Sequence, residues 1–243
     1  MLLAFSPHLD DAVLSVGAAI AARIEQGWQV VVCTLFAGDP DLPVPPGAAA
    51  FHRHCGLGQD AVAQRRLEDL AALAELGAVP RHLGFPDAVY RWVDGRPLHD
   101  RPGAVLDPGL PAEEALRAEL GAAIAGLLEE LAPAEVWTCA GIGGHVDHRH
   151  TTTVVRQECA RADLPLTLWA DLPYALTGQD PHPVACTTPE PAHLARKLAA
   201  AAHYRSQLPV LFPQGTDWQA ALGAAEAWWP AAVPRARAGA SGT

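Results

Sequence analysis

Two short runs of the sequence place imidazole and carboxylate groups close enough together for metal chemistry. One is Pro7–Asp11 (PHLDD), near the start of the chain, and the other is His145–His148 (HVDH), past its middle. Two His and one Asp are a usual ligand set for Zn²⁺ or a similar divalent ion. A further carboxylate beside such a site can act as the base that activates a metal-bound water. The two runs together predict a metal-dependent hydrolase.

In the first run, the predicted helix start decides which carboxylate approaches the histidine. If the helix begins near Asp11, then His8 and Asp11 converge while Asp10 points elsewhere. The alternative is that Asp10 or Asp11 only caps the helix and that His8 is a loop histidine.

In the second run, the two histidines are three residues apart. On a helix, His145 and His148 would share a face. On a turn, one would bind the metal while the other faced the substrate. His150 is close enough to compete as a ligand, and the alternative for the whole run is a polar loop in which Asp147 is a cap.

The elements around these runs follow from the spacing of apolar residues. Leu2–Phe5 is an apolar run that predicts a buried strand, and 11–26 has helical spacing. The β-branched run at 29–36 predicts the next strand. A strand, helix, strand order implies a parallel pair joined by a right-handed crossover.

The same pattern continues along the chain and predicts a Rossmann-like α/β fold. Further helices are predicted at 60–76, 111–131, 148–162, 190–208 and 217–229, strands at 81–85, 135–140 and 166–170, and irregular chain at 38–58 and 87–111. This alternation predicts a mostly parallel sheet with helices on both faces. Ligands bind beyond the carboxyl ends of such strands, where both runs lie. We expect one domain over 1–230, a disordered tail at 231–243, and a pocket shaped by the two irregular stretches.

Composition limits the classes of partner. The chain has 243 residues, half of them hydrophobic, and a formal net charge of -10, which argues against nucleic acid or an anionic membrane. No apolar run approaches the roughly 20 residues of a membrane span. The five cysteines form no Cys-x-x-Cys pair, so we expect free thiols and a cytoplasmic protein. No Gly-x-Gly-x-x-Gly follows the first strand, which disfavours a dinucleotide-dependent oxidoreductase. The oligomeric state stays open.

In their order and context, the two runs resemble the LmbE-like or PIG-L-type family of zinc-dependent N-acetylglucosaminyl deacetylases. That family has a His-x-Asp-Asp turn after its first strand and a His-x-Asp-His turn after a later one. The resemblance extends to Arg65-x-x-Glu68 and to the run 84–87 (GFPD), and it covers residues 1 to about 170.

The resemblance implies a role for each matching residue. It implies that His8, Asp11 and His148 bind Zn²⁺, with Fe²⁺ or another divalent ion as the alternative. It implies Asp10 as general base, and a charged His145, oriented by Asp147, as acid or electrostatic partner. Arg65 and Asp87 would hold substrate hydroxyls. Some relatives place a Tyr two residues before the first histidine of the second run. This chain has Gly143 there, so a tyrosine from elsewhere, such as Tyr174, would have to replace it.

The implied reaction is removal of an N-acetyl or other N-acyl group from a small molecule that contains an amino sugar, by attack of a metal-bound water. The expected partner is therefore a small amino sugar or glycoside. Two alternatives remain: an amidase or deacylase for a non-sugar amide, and an inactive relative that binds a metal or a sugar. The presence of Asp10 argues against the inactive relative.

Overall fold

The computed structural model of the chain describes residues 1–40, 43–98, 101, 103–109, 113–177, 186–224 and 226–231. Its strands are β1 (Leu2–Ser6), β2 (Val30–Thr34), β3 (Val79–His82), β4 (Trp92–Val93), β5 (Arg96–Pro97), β6 (Glu135–Cys139), β7 (Leu166–Trp169), β8 (Cys186–Thr187) and β9 (Glu226–Pro230). Its helices are α1 (Asp11–Glu25), α2 (Pro46–His54), α3 (Ala61–Leu76), α4 (Glu114–Leu131), α5 (Val146–Arg161), α6 (Pro191–Ala201), α7 (Leu208–Leu211) and α8 (Trp218–Gly223). Short 3₁₀ turns lie at Ala88–Tyr90, Ala104–Leu106 and Tyr174–Thr177.

The central sheet has seven strands in the order β3-β2-β1-β6-β7-β9-β8. The five strands from β3 to β7 in that order are parallel to one another. β9 then pairs antiparallel with β7, and β8 pairs antiparallel with β9. Strands β4 and β5 form a separate antiparallel hairpin. The predicted α/β fold with a mostly parallel sheet is confirmed.

The sheet separates two apolar cores, because successive side chains of a strand point to opposite faces. Leu2 and Ala4 of β1 pack in the core that α1, α3 and α6 cover. Leu3 and Phe5 of the same strand pack in the core that α4 and α5 cover. All four side chains are completely buried. A strand buried on both faces is apolar throughout, as the sequence of β1 is.

Five predicted elements are wrong in part, one of them being 87–111, which was predicted as irregular and contains the β4–β5 hairpin. The strand predicted at 81–85 lies at Val79–His82, and the stretch 38–58, predicted as irregular, contains α2. The helix predicted at 190–208 ends at Ala201. The helix predicted at 217–229 is a six-residue helix followed by β9.

The two tryptophans of β9 explain why the last of these segments is a strand. Trp228 packs in the core beside α1 and stacks on Trp137, with ring centroids 5.5 Å apart. Trp229 packs in the opposite core. Adjacent aromatic residues that face opposite cores need the two-residue period of a strand.

The predicted domain over 1–230 stays a prediction. Residues 232–243, most of the predicted tail, lie outside the described residues.

Helix α1 is interrupted at Val16, where the backbone leaves helical geometry (φ −136°, ψ 25°). Beyond the break, the backbone N–H groups of Ala18 and Ala19 donate to the two carboxylate oxygens of Glu226, over 2.9 and 2.8 Å. The ammonium group of Lys197 lies 2.9 Å from Glu226 and is completely buried. Glu226 and Lys197 thus hold the second part of α1 in place from β9 and α6.

No described helix combines the length and the apolar composition needed to cross a membrane.

Candidate active site

The site lies where β1, β6 and β7 end, since neighbouring parallel strands have their carboxyl ends at one edge of the sheet. The turn after β1 is tightly bonded. The Ser6 hydroxyl donates to the carbonyl of His8 over 2.8 Å and accepts from the backbone N–H of Ala12. The backbone N–H of His8 donates to Asp11 Oδ2 over 2.8 Å. These bonds turn the His8 and Asp11 side chains toward each other, as predicted.

Two histidines, one from each sequence run, converge on one carboxylate oxygen of Asp11. Asp11 Oδ2 lies 3.2 Å from His8 Nδ1 and 3.2 Å from His148 Nε2. His148 Nε2 is buried and has no hydrogen-bond partner among the described residues. Two imidazole nitrogens and a carboxylate oxygen suit a divalent ion such as Zn²⁺. These residues therefore fit such an ion.

His145 offers a second way to complete such a group. Ligand atoms of His8, His145 and His148 lie within 4.8 Å of one another. Both groups share His8 and His148, and they differ in whether Asp11 or His145 is the third member. We favour Asp11 as the third ligand, because its Oδ2 lies 3.2 Å from both His8 Nδ1 and His148 Nε2.

The outer nitrogen of each proposed histidine ligand contacts a buried carboxylate. His8 Nε2 lies 3.0 Å from Asp147 Oδ2, and His148 Nδ1 lies 2.6 Å from Asp171 Oδ1. Histidines that bind metals commonly donate their other N–H to a carboxylate, which fixes the ring. Although burial lowers the pKa of His148, Asp11 and Asp171 raise it to about 10. Sequence reasoning missed Asp171, whose only signal was its position just after the strand predicted at 166–170.

Asp147 differs from expectation in the side chain that it orients. Its carboxylate contacts His8, accepts the backbone N–H of Ala88 over 2.9 Å, and lies 2.7 Å from Arg91 Nη1. Its link to His145 is through the backbone, since the N–H of Asp147 donates to His145 Nδ1 over 3.2 Å. The reason is its place in the first turn of α5, from which the carboxylate reaches the β1 turn. The carboxylate of Asp147 thus contacts His8, while its contact with His145 is made by the backbone N–H.

The surroundings of His145 favour the neutral imidazole, whereas a charged one was expected from the sequence. Burial and the neighbouring His8 lower the pKa of His145 to about 3. Because Nδ1 accepts a hydrogen bond, the single ring proton sits on Nε2. His145 lines the cavity described below. Its Nε2–H is therefore available as a hydrogen-bond donor at the site.

Asp10 is buried and also lines the cavity. Its side chain makes no capping hydrogen bond to α1, so the capping alternative does not hold for it. Burial and the adjacent Asp11 raise the pKa of Asp10 to about 7, against the opposing effect of Arg65. A carboxylate with a pKa near neutrality suits the task of accepting and returning a proton.

Arg65 lies between two cavity carboxylates. Its Nη2 is 3.8 Å from Asp10 Oδ2, and its Nη1 is 3.6 Å from Asp87 Oδ2. Its Nε is buried and lacks a hydrogen-bond partner among the residues the structure describes. Asp87 Oδ1 accepts the backbone N–H of Val89 and so forms the turn, while Oδ2 faces Arg65. Arg65 and Asp87 thus come together beside Asp10, in position to contact a ligand.

The cavity at this edge has a volume of about 240 Å³, a charged floor and an apolar wall. The floor is formed by His8, Asp10, Asp11, Arg65, Asp87 and His145. The wall includes Phe51, Val89, Val105, Leu106, Pro173, Tyr174, Val210 and Leu211. Both stretches that the sequence left irregular contribute to the wall, together with residues from the last third of the chain.

Tyr174 fills the space beside Gly143. A Cβ on residue 143 would lie 2.6 Å from the Cβ and two ring carbons of Tyr174. The Tyr174 ring meets His148 edge to face, with centroids 5.5 Å apart. A tyrosine from the segment after β7 therefore occupies the position that a side chain at 143 would take.

His150 points away from the proposed ligands. Its Nε2 lies 3.0 Å from Glu113, and Glu113 also receives both Nε and Nη2 of Arg91. Arg91, which sequence reasoning missed, connects this cluster to Asp147. His150 is therefore engaged by Glu113 and does not compete for the ion.

Comparison with known proteins identifies the family of the chain. The family model described as PIG-L, GlcNAc-PI de-N-acetylase, matches residues 3–159. The chain is 28% identical to 2'-N-acetylparomamine deacetylase of Niallia circulans and 34% identical to 1D-myo-inositol 2-acetamido-2-deoxy-alpha-D-glucopyranoside deacetylase of Tsukamurella paurometabola. Each alignment covers 70% of this chain but only 66% and 59% of the relative. The zinc-inhibited form of teicoplanin deacetylase Orf2 superposes with a TM-score of 0.86 at 35% identity, over 94% of this chain and 97% of that one. The chain belongs to the PIG-L family.

Proposed function

We propose that this protein removes the acetyl group from an N-acetylated amino sugar with the help of a divalent ion. Zn²⁺ is the ion that we expect. The observation that carries the proposal is the convergence of His8, Asp11 and His148 on one point beside Asp10. The two curated relatives and the teicoplanin deacetylase are all deacetylases, which supports the same reaction. The chain spans about two thirds or less of the curated relatives, so their activity is carried over here as a proposal.

The chain's own residues divide the work of amide hydrolysis. When bound, the ion would polarise the amide carbonyl and acidify a nearby water. Asp10 takes a proton from the attacking water and returns it to the leaving nitrogen as the C–N bond breaks, so acetate and a free amine result. The Nε2–H of neutral His145 donates to the carbonyl oxygen as negative charge develops there. Arg65 and Asp87 hold sugar hydroxyls through charged hydrogen bonds.

The apolar wall of the cavity indicates which kind of amino sugar the site would accept. A sugar held by Arg65 and Asp87 would share its cavity with the apolar residues Val105, Val210 and Leu211. Such a wall favours a glycoside whose aglycone is apolar or aromatic over a free sugar. The match to teicoplanin deacetylase covers 97% of that chain, against 66% and 59% of the two curated relatives.

The test combines metal content with acetate release. Purified protein should hold about one equivalent of Zn²⁺ or Fe²⁺ and release acetate from an aryl N-acetylglucosaminide, and a chelator should abolish the release. His8→Ala and His148→Ala should lose the ion. His193→Ala is the matched control, because His193 pairs with Glu25 on the surface. Full metal content in the first two variants would refute the ligand set, and unchanged activity in chelator would refute the metal-dependent reaction.

A further inference from the structure

We propose that Asp171 is a positioning residue that holds His148 in the tautomer and orientation that bind the metal. This inference rests on the ligand set of the proposed function. It concerns a residue that lies outside both sequence runs and beyond the match to the family model.

Asp171 joins three elements through one buried carboxylate, of which only 1% is exposed. Oδ1 contacts His148 Nδ1 on α5 over 2.6 Å. Oδ2 accepts the backbone N–H groups of Ala140 and Ile142, over 3.1 and 2.9 Å, in the turn that follows β6. Both oxygens are therefore engaged, and neither can rotate away from its partner without leaving a buried donor unpaired.

The next residue ties this arrangement to the other ligand. The backbone N–H of Leu172 donates to the hydroxyl of Ser15 over 3.1 Å. Ser15 lies in the first part of α1, before the break at Val16, and that part begins with Asp11. The segment after β7 is thus bonded both to the helix that carries Asp11 and to the histidine that faces it.

The chemistry of the carboxylate dictates the tautomer. An ionised carboxylate only accepts hydrogen bonds, so Nδ1 must carry the proton. In the neutral ring, the lone pair is then on Nε2, the buried atom that has no hydrogen-bond partner in the described chain and faces Asp11. That is the form of histidine that binds a metal through Nε2.

An asparagine at 171 would reverse this choice without removing the backbone bonds. Its amide oxygen can accept from Ala140 and Ile142, as Oδ2 does now. Its amide N–H would then face His148 Nδ1 and donate to it, which moves the ring proton to Nε2. We therefore expect Asp171→Asn to fold and to bind Zn²⁺ about 10- to 100-fold more weakly than the unaltered protein.

The experiment is a competition titration of Zn²⁺ against a chromogenic chelator, together with the visible spectrum of the Co²⁺ form. Asp171→Asn should weaken Zn²⁺ binding and change the Co²⁺ bands. Asp69→Asn is the matched control, since Asp69 is a buried carboxylate 2.7 Å from His82 and 2.7 Å from the Tyr204 hydroxyl. It should lower thermal stability and leave the Zn²⁺ affinity unchanged.

The outcomes separate this inference from the proposed function. If His148→Ala leaves Zn²⁺ affinity unchanged, the ligand set fails. If His148→Ala loses Zn²⁺ while Asp171→Asn binds it as the unaltered protein does, the positioning role of Asp171 is overturned. Asp171→Glu keeps an acceptor for Nδ1 and should bind Zn²⁺ more tightly than Asp171→Asn. Equal affinities of those two variants, or an equal loss in Asp69→Asn, would also overturn it.

Discussion

Gly143 and Tyr174 compete for one volume at the edge of the cavity. A Cβ at 143 would lie 2.6 Å from the Tyr174 side chain, well inside van der Waals contact. The backbone of Gly143 also has a φ of +86°, which L side chains rarely adopt. The tyrosine lines the cavity and packs against His148, so the glycine is required for the tyrosine to reach its place.

Gly143→Ala should therefore displace Tyr174 and lower kcat/KM for acetate release. In a Tyr174→Ala background the same change should cost much less, because the conflicting ring is gone, and a double-mutant cycle measures this coupling. Gly144→Ala is the control for backbone strain alone, since Gly144 has a φ of +76° but its nearest contact would be at 3.9 Å. Additive effects of Gly143→Ala and Tyr174→Ala would show that the two positions act separately.

Asp10→Asn should keep the metal and lose most turnover. A positioned general base contributes on the order of 10²- to 10⁴-fold. Metal analysis and kcat measured on the same preparation check both parts. If Asp10→Asn releases the ion while Asp11→Asn retains it, the roles of the two carboxylates are exchanged.

His145→Ala should lower kcat by about 10²-fold or more, the range of one lost donor to a developing oxyanion, with metal content unchanged. His150→Ala is the matched control, because His150 lies on the same helix but contacts Glu113. Its kcat should stay close to that of the unaltered enzyme. A normal kcat in His145→Ala would assign the donor to another cavity residue, with Tyr174 the first to test.

The buried pair of Lys197 and Glu226 should give stability a pH dependence. Burial lowers the pKa of Lys197 below its usual value, against the opposing effect of Glu226. Between that lowered pKa and about 10.5, where an unfolded lysine titrates, the unfolded chain binds more protons, so this group makes stability rise with pH. Below that window its contribution is constant and unfavourable.

The measurement is the free energy of unfolding at several pH values up to about 10.5, for the unaltered protein and for Lys197→Met/Glu226→Gln. The glutamine oxygen can still accept from the backbone of α1. The free energy of unfolding of the unaltered protein should increase relative to that of the double variant as the pH rises from the lowered pKa of Lys197 to about 10.5. A difference that does not change with pH would mean that Lys197 titrates alike in both states.

The turn after β1 could be predicted from the sequence because its information is local. Ser6, His8 and Asp11 lie within six positions, and their mutual hydrogen bonds follow from that spacing once a strand and a helix flank them. The position of His148 could also be predicted from local sequence, because its neighbours in sequence mark a helix start. The α/β fold followed from the alternation of apolar periods, which is also a local property.

What the sequence could not show depends on contacts between distant segments. Asp171 is separated from His148 by 23 positions, and no pattern links a carboxylate after β7 to a histidine on α5. The neutral state of His145 depends on burial and on His8, which only the folded chain brings close. The segment of β9 was predicted as helix because its strand character depends on Trp228 and Trp229 packing in two different cores. Those two cores exist only in the folded chain.

The apolar wall of the cavity is supplied in part by a region that the family match does not reach. Val210 and Leu211 line the same cavity as His8 and Asp10, yet the match ends at residue 159. Apolar residues that line the cavity thus lie on both sides of residue 159, with Phe51 and Val105 before it and Val210 and Leu211 after it. Exchange of residues 208–211 alone between homologues would therefore alter part of the apolar wall and leave His8, Asp10, Asp11 and His148 as they are.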